Sequence, residues 1–293
     1  MASSRTDSNV SRSLKRGTKR AIYATRSLTA PTRVLPDFLI IGTQRGGTTS
    51  LFNILSHHPN VCTSRTKEVH FFDNQFHRSV GWYKSQFPTS VYKVVCRTMG
   101  RPIITGEASP YYLFHPRVPA RVATLLPHVK LIALLRNPVD RAYSHYQHEV
   151  SLGVEKLSFA DAIEHEQERI GGEEHKLLTQ DRYYSFNHQH YSYLSRGVYV
   201  DQLQRWDPYF PAERLLVIKS EDFYVEPGAA MSRITQFLEI PDWTLEQPSR
   251  YNALPYEPMD LGMRSRLQDY FAPHNQRLYN HLGGDFDWDG DRA

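Results

Sequence analysis

The residues with the clearest chemical signal lie in a short loop, Gly42–Ser50, with the sequence GTQRGGTTS. The loop follows the apolar run Asp37–Ile41, which predicts a buried strand, and it precedes a segment with helical spacing. Glycines in this place let the backbone approach a ligand, and amide groups at a helix start point at an anion. The residues assigned to that anion are Arg45, Gly46, Gly47, Thr48, Thr49 and Ser50. The loop therefore predicts a phosphate-type site.

Two features separate this loop from a site for a nucleoside triphosphate. The frame of the pattern GxxxxGK[ST] is present, but Thr48 stands where that pattern has lysine. A second apolar run, Lys130–Leu135, ends in Arg136 instead of the aspartate that would organise magnesium. An arginine can grip a phosphate with its bidentate fork, and Ser144, on the following helix, can face the same phosphate. We therefore expect an anion site that needs no metal.

The elements that position these residues alternate along the chain. Strands are predicted at 37–41, 103–106, 130–135 and 214–219, and helices near 50–56, 116–126, 138–150, 158–168, 198–206, 227–238 and 260–282. Such alternation predicts a parallel sheet covered by helices on both faces, with ligands at the carboxyl ends of its strands. We expect a single α/β domain over residues 36–293, with a P-loop-like nucleotide-binding core.

The net charge of +4 is unevenly distributed. Residues 1–35 contribute +7 and the remaining residues −3, so the basic character belongs to the first segment and nucleic acid is disfavoured as a partner. Its Ser- and Arg-rich composition predicts a disordered tail, with a transit peptide or peripheral contact with an anionic membrane as further hypotheses. No apolar run approaches the roughly 20 residues of a transmembrane span. Two cysteines, Cys62 and Cys96, indicate a reducing compartment and hence a cytoplasmic protein, with organellar targeting left open.

The motifs together resemble the sulfotransferases that use 3′-phosphoadenylyl sulfate (PAPS). The loop Gly42–Ser50 is similar to their 5′-phosphosulfate-binding loop, and Leu131–Tyr146 is similar to their 3′-phosphate-binding segment. A closer likeness to the heparan sulfate and carbohydrate branch, including bacterial relatives, rests on Lys67–Asp73 (KEVHFFD), Gly81–Tyr83, Gly106–Tyr112 and Phe286–Trp288. The resemblance implies PAPS as donor, adenosine 3′,5′-bisphosphate as product and no metal.

The resemblance also implies roles for the reacting groups. Arg45 would stabilise the charge that develops on the leaving 5′-phosphate. Glu68 would act as general base on the acceptor, with a pKa raised by a partly apolar site, and His70 is the alternative base. One departure is Ala108, because some heparan-type members carry lysine there; this weakens any transfer of their acceptor specificity.

Further nucleotide contacts are predicted with less specific signals. In the family a loop before the final helices closes over the 3′-phosphate, and the equivalent residues here are Arg250, Tyr251 and Asn252. Arg196 and Tyr199 are additional candidates for contact with the nucleotide.

The acceptor is predicted only as a class. It is a carbohydrate, a lipid-linked glycan or a small hydroxylated molecule, sulfated on a hydroxyl or an amine. Tyrosines in 171–196 suit a sugar acceptor or, equally, an irregular core segment. The alternatives to a sulfotransferase are a P-loop kinase or triphosphatase and a non-catalytic nucleotide-binding protein.

Overall fold

A computed structural model describes residues 25–243 and 256–288, and in these residues five parallel strands form one sheet. The strands are β1 (Phe38–Gly42), β2 (Val61–Thr63), β3 (Ile104–Ala108), β4 (Lys130–Leu135) and β5 (Leu215–Lys219), in the order β2-β3-β1-β4-β5. The predicted α/β domain with a central parallel sheet is confirmed. Strand β2 was not predicted, because three residues are too few to form a recognisable apolar run.

Helices cover both faces of the sheet. In the described residues they are α1 (Thr48–His57), α2 (Val80–Lys84), α3 (Ser90–Thr98), α4 (Val118–Leu125), α5 (Pro138–Ser151), α6 (Phe159–Glu164), α7 (Glu166–Ile170), α8 (Glu173–Thr179), α9 (Phe186–His190), α10 (Tyr199–Gln204), α11 (Ser220–Val225), α12 (Pro227–Leu238) and α13 (Leu261–Leu282). The helix predicted over 158–168 is two short helices that meet at His165.

The two faces of β1 belong to different cores. Phe38 and Ile40 pack in a cluster with residues of α1 and α12, whereas Leu39 and Ile41 pack in a cluster with residues of α5 and α13. The helices that follow β1 and β4 therefore lie on opposite faces of the sheet, although the strands are neighbours. This arrangement opens a crevice at the carboxyl ends of the two strands, where α/β folds bind their ligands.

The packed part of the chain begins before the predicted boundary at residue 36. Arg26 donates hydrogen bonds to the carbonyl oxygens of Ser85 (2.5 Å) and Phe87 (2.8 Å), and Arg33 also donates to the Phe87 carbonyl oxygen (2.6 Å). Residues 25–35 are therefore part of the domain, because their arginines satisfy carbonyl groups of the segment before α3. The rest of the predicted tail, residues 1–24, lies outside the described residues. Among the helices described, none is both long and apolar enough to cross a bilayer.

Candidate active site

A cleft of about 540 Å³ opens at the carboxyl ends of β1 and β4. The sequence-predicted residues that line it are Arg45, Gly47, Thr48, Thr49, Glu68, His70, Arg136, Ser144 and Arg196. They come from the loop after β1, the start of α1, the segment after β2, the end of β4, helix α5 and the segment before α10. The fold thus collects candidates that are up to about 150 residues apart in the sequence.

The loop between β1 and α1 requires its two central glycines. Gly47 has a φ of 97°, and a Cβ atom there would lie 2.9 Å from the hydroxyl of Tyr224. A Cβ atom on Gly46 would lie 2.7 Å from the carbonyl oxygen of Leu134. The Gly46 carbonyl in turn accepts a hydrogen bond from Ser220 Oγ (2.8 Å). The loop therefore fits between β4 and α11 only if positions 46 and 47 carry no side chain, which leaves the start of α1 open to the cleft.

The two arginines and the serine predicted to bind phosphate lie together in the structure. Arg45 Nε donates to Ser144 Oγ at 3.0 Å, and Arg136 Nη1 donates to the carbonyl oxygen of Arg45 at 3.3 Å. Asn137 caps α5 by accepting from the amide of Val139 (3.0 Å), which fixes the direction in which Ser144 projects. Two guanidinium groups and a hydroxyl therefore lie beside the start of α1, an arrangement suited to an anion.

Other predicted nucleotide ligands lie behind the cleft surface. Gly46 and Ser50 do not line the cleft; Ser50 Oγ is 3.1 Å from the hydroxyl of Tyr224. Tyr199 is buried, and its hydroxyl donates to the Arg136 carbonyl oxygen (2.7 Å), so it supports the end of β4. Arg250, Tyr251 and Asn252 lie outside the described residues.

Arg196 is buried although it reaches the wall of the cleft. Its guanidinium donates to the side chain of Gln44 and to the carbonyl oxygens of His188 (3.1 Å) and Gln189 (2.9 Å). It also lies over the ring of Tyr111, 5.1 Å from the ring centroid. These contacts tie the anion loop to the segment around α9.

The segment after β2 forms a second wall of the cleft, which holds the candidate bases. His70 Nδ1 is 2.7 Å from Asp73 Oδ2, whose side chain is fully buried, and His70 Nε2 is 3.4 Å from Glu68 Oε2. Glu68 also accepts a hydrogen bond from Lys67 Nζ, and 42% of its side chain is exposed. Each ring nitrogen of His70 therefore faces a carboxylate, and the histidine joins the two acids.

These contacts reverse the expected electrostatics of Glu68. Burial favours its neutral form, but hydrogen bonds and charge from His70 and Lys67 outweigh burial and lower its pKa to about 2. The predicted rise in the Glu68 pKa is therefore wrong. For His70, burial favours the neutral ring, but Asp73 and Glu68 outweigh burial and raise its pKa to about 10.

A buried carboxyl group supports the wall that carries these bases. Glu107, at the end of β3, accepts hydrogen bonds from the hydroxyls of Tyr83 (2.5 Å), Ser109 (2.9 Å) and Tyr112 (3.1 Å). Burial raises the pKa of Glu107 to about 7, although these hydroxyls oppose the rise. Ser109 Oγ also accepts from the amide of His70 (3.2 Å), so Glu107 and Ser109 support the base segment from behind.

The sequence did not single out several residues that line the cleft. They include Gln44, Lys67, Tyr111, Asp140, His148, Gln189, Ser220, Glu221, Tyr224 and Tyr256. Ser220, Glu221 and Tyr224 could have been found, because they directly follow the predicted strand at 214–219 and strand ends form this edge of the sheet. In contrast, Tyr193, one of the tyrosines considered for a sugar acceptor, is fully buried and donates to Glu155 Oε2 (2.9 Å).

A family model described as "Sulfotransferase domain" matches residues 35–259. The chain belongs to the sulfotransferase family. Its relatives include the membrane-associated sulfotransferase kil1 of Dictyostelium discoideum, 26% identical over 87% of this chain and 66% of that protein. Heparan sulfate glucosamine 3-O-sulfotransferase 6 of Homo sapiens is 28% identical over 87% of this chain and 74% of that protein. A solved sulfotransferase from Alicyclobacillus acidocaldarius is 29% identical with a TM-score of 0.67, covering 87% of this chain and 99% of that one.

Membership decides between the functional classes that the sequence left open. The protein is a sulfotransferase enzyme, not a P-loop kinase, a triphosphatase or a non-catalytic nucleotide-binding protein. The single α/β domain of this sulfotransferase is the fold of the Alicyclobacillus structure as well. The chain spans about two thirds of the length of kil1.

Proposed function

We propose that this sulfotransferase moves a sulfuryl group from PAPS to a hydroxyl or an amine of a carbohydrate or similar hydroxylated acceptor. The observation that carries the proposal is one cleft with two unlike walls. Arg45, Arg136 and Ser144 form an anion-binding wall beside the start of α1, and Glu68 and His70, from the segment after β2, line the same cleft. A donor phosphate on one side and an acceptor proton on the other need such an arrangement.

The anion-binding wall suits the two phosphate groups of the donor. The amides at the start of α1 and the guanidinium of Arg45 would hold the 5′-phosphosulfate. Arg136 and Ser144 would hold the 3′-phosphate, the first through its bidentate fork and the second as a hydroxyl donor. As the S–O bond to the 5′-phosphate breaks, negative charge grows on that phosphate, so a fixed cation beside it stabilises the transition state more than the bound substrate.

The transfer breaks the S–O bond to the donor phosphate and forms an S–O or an S–N bond to the acceptor. The acceptor oxygen, or nitrogen, forms a bond to sulfur while the bond from sulfur to the 5′-phosphate breaks, roughly in line. Adenosine 3′,5′-bisphosphate leaves with the electron pair of the broken bond. The acceptor proton passes to a base in the segment after β2, and the protein supplies positioning and charge stabilisation.

The contacts favour Glu68 over His70 as that base. A histidine whose two ring nitrogens face Asp73 and Glu68 and whose pKa is about 10 is already protonated at neutral pH, so it has no lone pair to accept a proton. Glu68 is ionised and partly exposed to the cleft. His70 would therefore orient Glu68 and balance its charge.

Two supports bear on the acceptor. The human relative is named for transfer to a heparan sulfate glucosamine, which favours a sugar acceptor here. Gln189 is partly exposed where it lines the cleft and offers an amide group, which suits a polar ring with several hydroxyls.

Binding of the donor product provides the first test. In titration calorimetry with EDTA present, we expect adenosine 3′,5′-bisphosphate to bind, and Arg136→Ala to weaken binding by about tenfold to a hundredfold. Arg214→Ala is the matched control, because Arg214 precedes β5 at the other edge of the sheet and donates to the His128 carbonyl oxygen. Absent binding, or preferred binding of ATP with Mg²⁺, would contradict the proposal.

Turnover with labelled PAPS provides the second test. A panel of glycans, glycolipids and small polyols would be screened for acceptance of the label. With an accepted molecule, Glu68→Gln should abolish most of kcat at every pH, by about a hundredfold or more, whereas His70→Gln should alter the pH profile and retain more activity. The opposite ranking of the two variants would assign the base to His70.

A further inference from the structure

Helix α3 turns an apolar stripe to the solvent. Val91, Val94 and Val95 are 65%, 59% and 46% exposed, and their spacing of three and four residues places them on one face. Met99, directly after the helix, is 78% exposed. A helix of a folded domain normally buries such a stripe, so a contiguous exposed one indicates an interaction surface.

The orientation of α3 is fixed by contacts of its other side. Cys96 is buried, and Lys93 Nζ is 2.7 Å from a carboxylate oxygen of Asp37, the residue before β1. At the start of the helix, Ser90 Oγ donates to the carbonyl oxygen of Thr32 (3.0 Å). The valines therefore cannot turn inward without breaking an ion pair. Since Asp37 precedes β1, α3 lies near the amino-terminal edge of the sheet, away from the cleft.

The chain segments that carry and adjoin this stripe contain no acidic residue. Residues 74–106 contain five lysines and arginines and no acidic residue, and residues 8–36 contain seven and none. These two segments contribute +12, which leaves −8 for the rest of the chain. Arg97 and Arg101 are both exposed, within and just beyond α3. The positive charge of the molecule is therefore concentrated on the segments that carry or adjoin the apolar stripe.

The two acid-free segments are joined in space. Arg26 and Arg33 bind the carbonyl oxygen of Phe87, three residues before α3 begins. Residues 1–24, with a net charge of +5, are therefore attached to the chain at Thr25, close to the start of this helix. Leu28, in the connecting segment, is 82% exposed.

We propose that this surface, defined by Val91, Val94, Val95 and Met99 with Arg97 and Arg101, docks onto an anionic lipid bilayer. The apolar stripe would enter the boundary between headgroups and acyl chains, and the two arginines would contact lipid phosphates. A second copy fits less well, because a twofold interface would bring the same basic segments face to face. Docking in this orientation keeps the cleft at the far edge of the sheet open to donor and acceptor.

The test is co-sedimentation of the full chain with vesicles of phosphatidylcholine, with and without phosphatidylserine. We expect binding to the anionic vesicles only, weakened about tenfold or more by the triple change Val91→Ser, Val94→Ser and Val95→Ser. The change Arg97→Gln with Arg101→Gln should weaken it by about fivefold for each charge removed. A matched control replaces three leucines that are as exposed elsewhere: Leu152→Ser, Leu178→Ser and Leu261→Ser.

Nucleotide affinity and light scattering, measured beside sedimentation, distinguish membrane docking from misfolding and from self-association. Affinity for adenosine 3′,5′-bisphosphate should be the same in all variants, which shows that they are folded and that the donor site is independent of the surface. The proposal would be overturned if the chain did not bind vesicles, or if it bound neutral vesicles as strongly as anionic ones. It would also be overturned if the triple valine variant and the triple leucine control lost vesicle binding equally. A dimer, seen by light scattering, that the valine changes dissociate while vesicles remain unbound would likewise overturn it.

Discussion

Replacing Asp73 by Asn tests the electrostatics of the base wall most directly. Asp73 is fully buried, 2.7 Å from His70 Nδ1, and an adjacent opposite charge shifts a pKa by about one to three pH units. We therefore expect Asp73→Asn to lower the pKa of His70 from about 10 to roughly 7–9. This shift corresponds to about 1.4–4 kcal/mol of stabilisation of the charged histidine.

The raised pKa of His70 also predicts how the stability of the fold depends on pH. The pKa of His70 is higher in the folded protein than the ordinary 6.5, so its interaction stabilises the fold fully below pH 6.5. That stabilisation is lost as the pH rises through about 10. The free energies of unfolding of wild type and Asp73→Asn should therefore differ most near pH 6 and converge towards pH 10 and above.

Two measurements follow the effect. NMR titration of the His70 ring, assigned with the His70→Gln variant, gives the pKa, and urea unfolding at several pH values gives the stability. Asp207→Asn serves as control, because Asp207 faces His281 at 3.6 Å on the surface and should leave the His70 titration unchanged. A wild-type His70 that titrates near pH 6.5, or a stability difference that is constant with pH, would refute the reasoning.

Three further substitutions test the donor site and its support. Arg45→Ala should lower kcat by about a hundredfold or more in the PAPS assay, and near-normal turnover would remove Arg45 from its proposed role. Ser144→Ala, which removes the partner of Arg45 Nε, should raise KM for PAPS by about threefold to tenfold and change kcat little; a fall in kcat alone would contradict donor binding. Glu107→Ala should destabilise the fold by about 3–5 kcal/mol in urea unfolding, since three hydroxyls lose their acceptor; a change under about 1 kcal/mol would mean that water replaces it.

The anion-binding wall could be predicted because its residues belong to short sequence patterns that can be recognised without the structure. A glycine loop between an apolar strand and a helix, and an arginine that ends the next buried strand, both follow from chain order alone. The structure confirms the parallel sheet that brings these two segments together. It adds that Arg45 and Ser144 contact each other directly, which no spacing in the sequence indicates.

The base wall could be predicted only as a set of residues. Its electrostatics depend on Asp73, which the sequence placed in a motif but not against His70. Whether Glu68 lies in an apolar pocket or beside two cations is decided by side-chain directions after β2, a strand too short to predict. The expected sign of the Glu68 pKa shift was wrong for this reason.

The backbone conformation of the candidate residues shows why the geometry of the site cannot be predicted from the sequence. Arg45, Glu68 and His70 all have positive φ angles, 68°, 60° and 54°, a region that residues other than glycine seldom occupy. Each such residue costs on the order of 1 kcal/mol, and the cost is met by surrounding structure that holds the backbone in place. Here the holding contacts are long-range: the amide of Glu68 donates to the Ala108 carbonyl oxygen (2.8 Å), and the Arg45 carbonyl accepts from Arg136 (3.3 Å). A glycine at these positions would signal the unusual backbone but would lack the reacting side chain. Both requirements are met only by tertiary contacts, which link the chemistry of this cleft to the stability of β3 and β4.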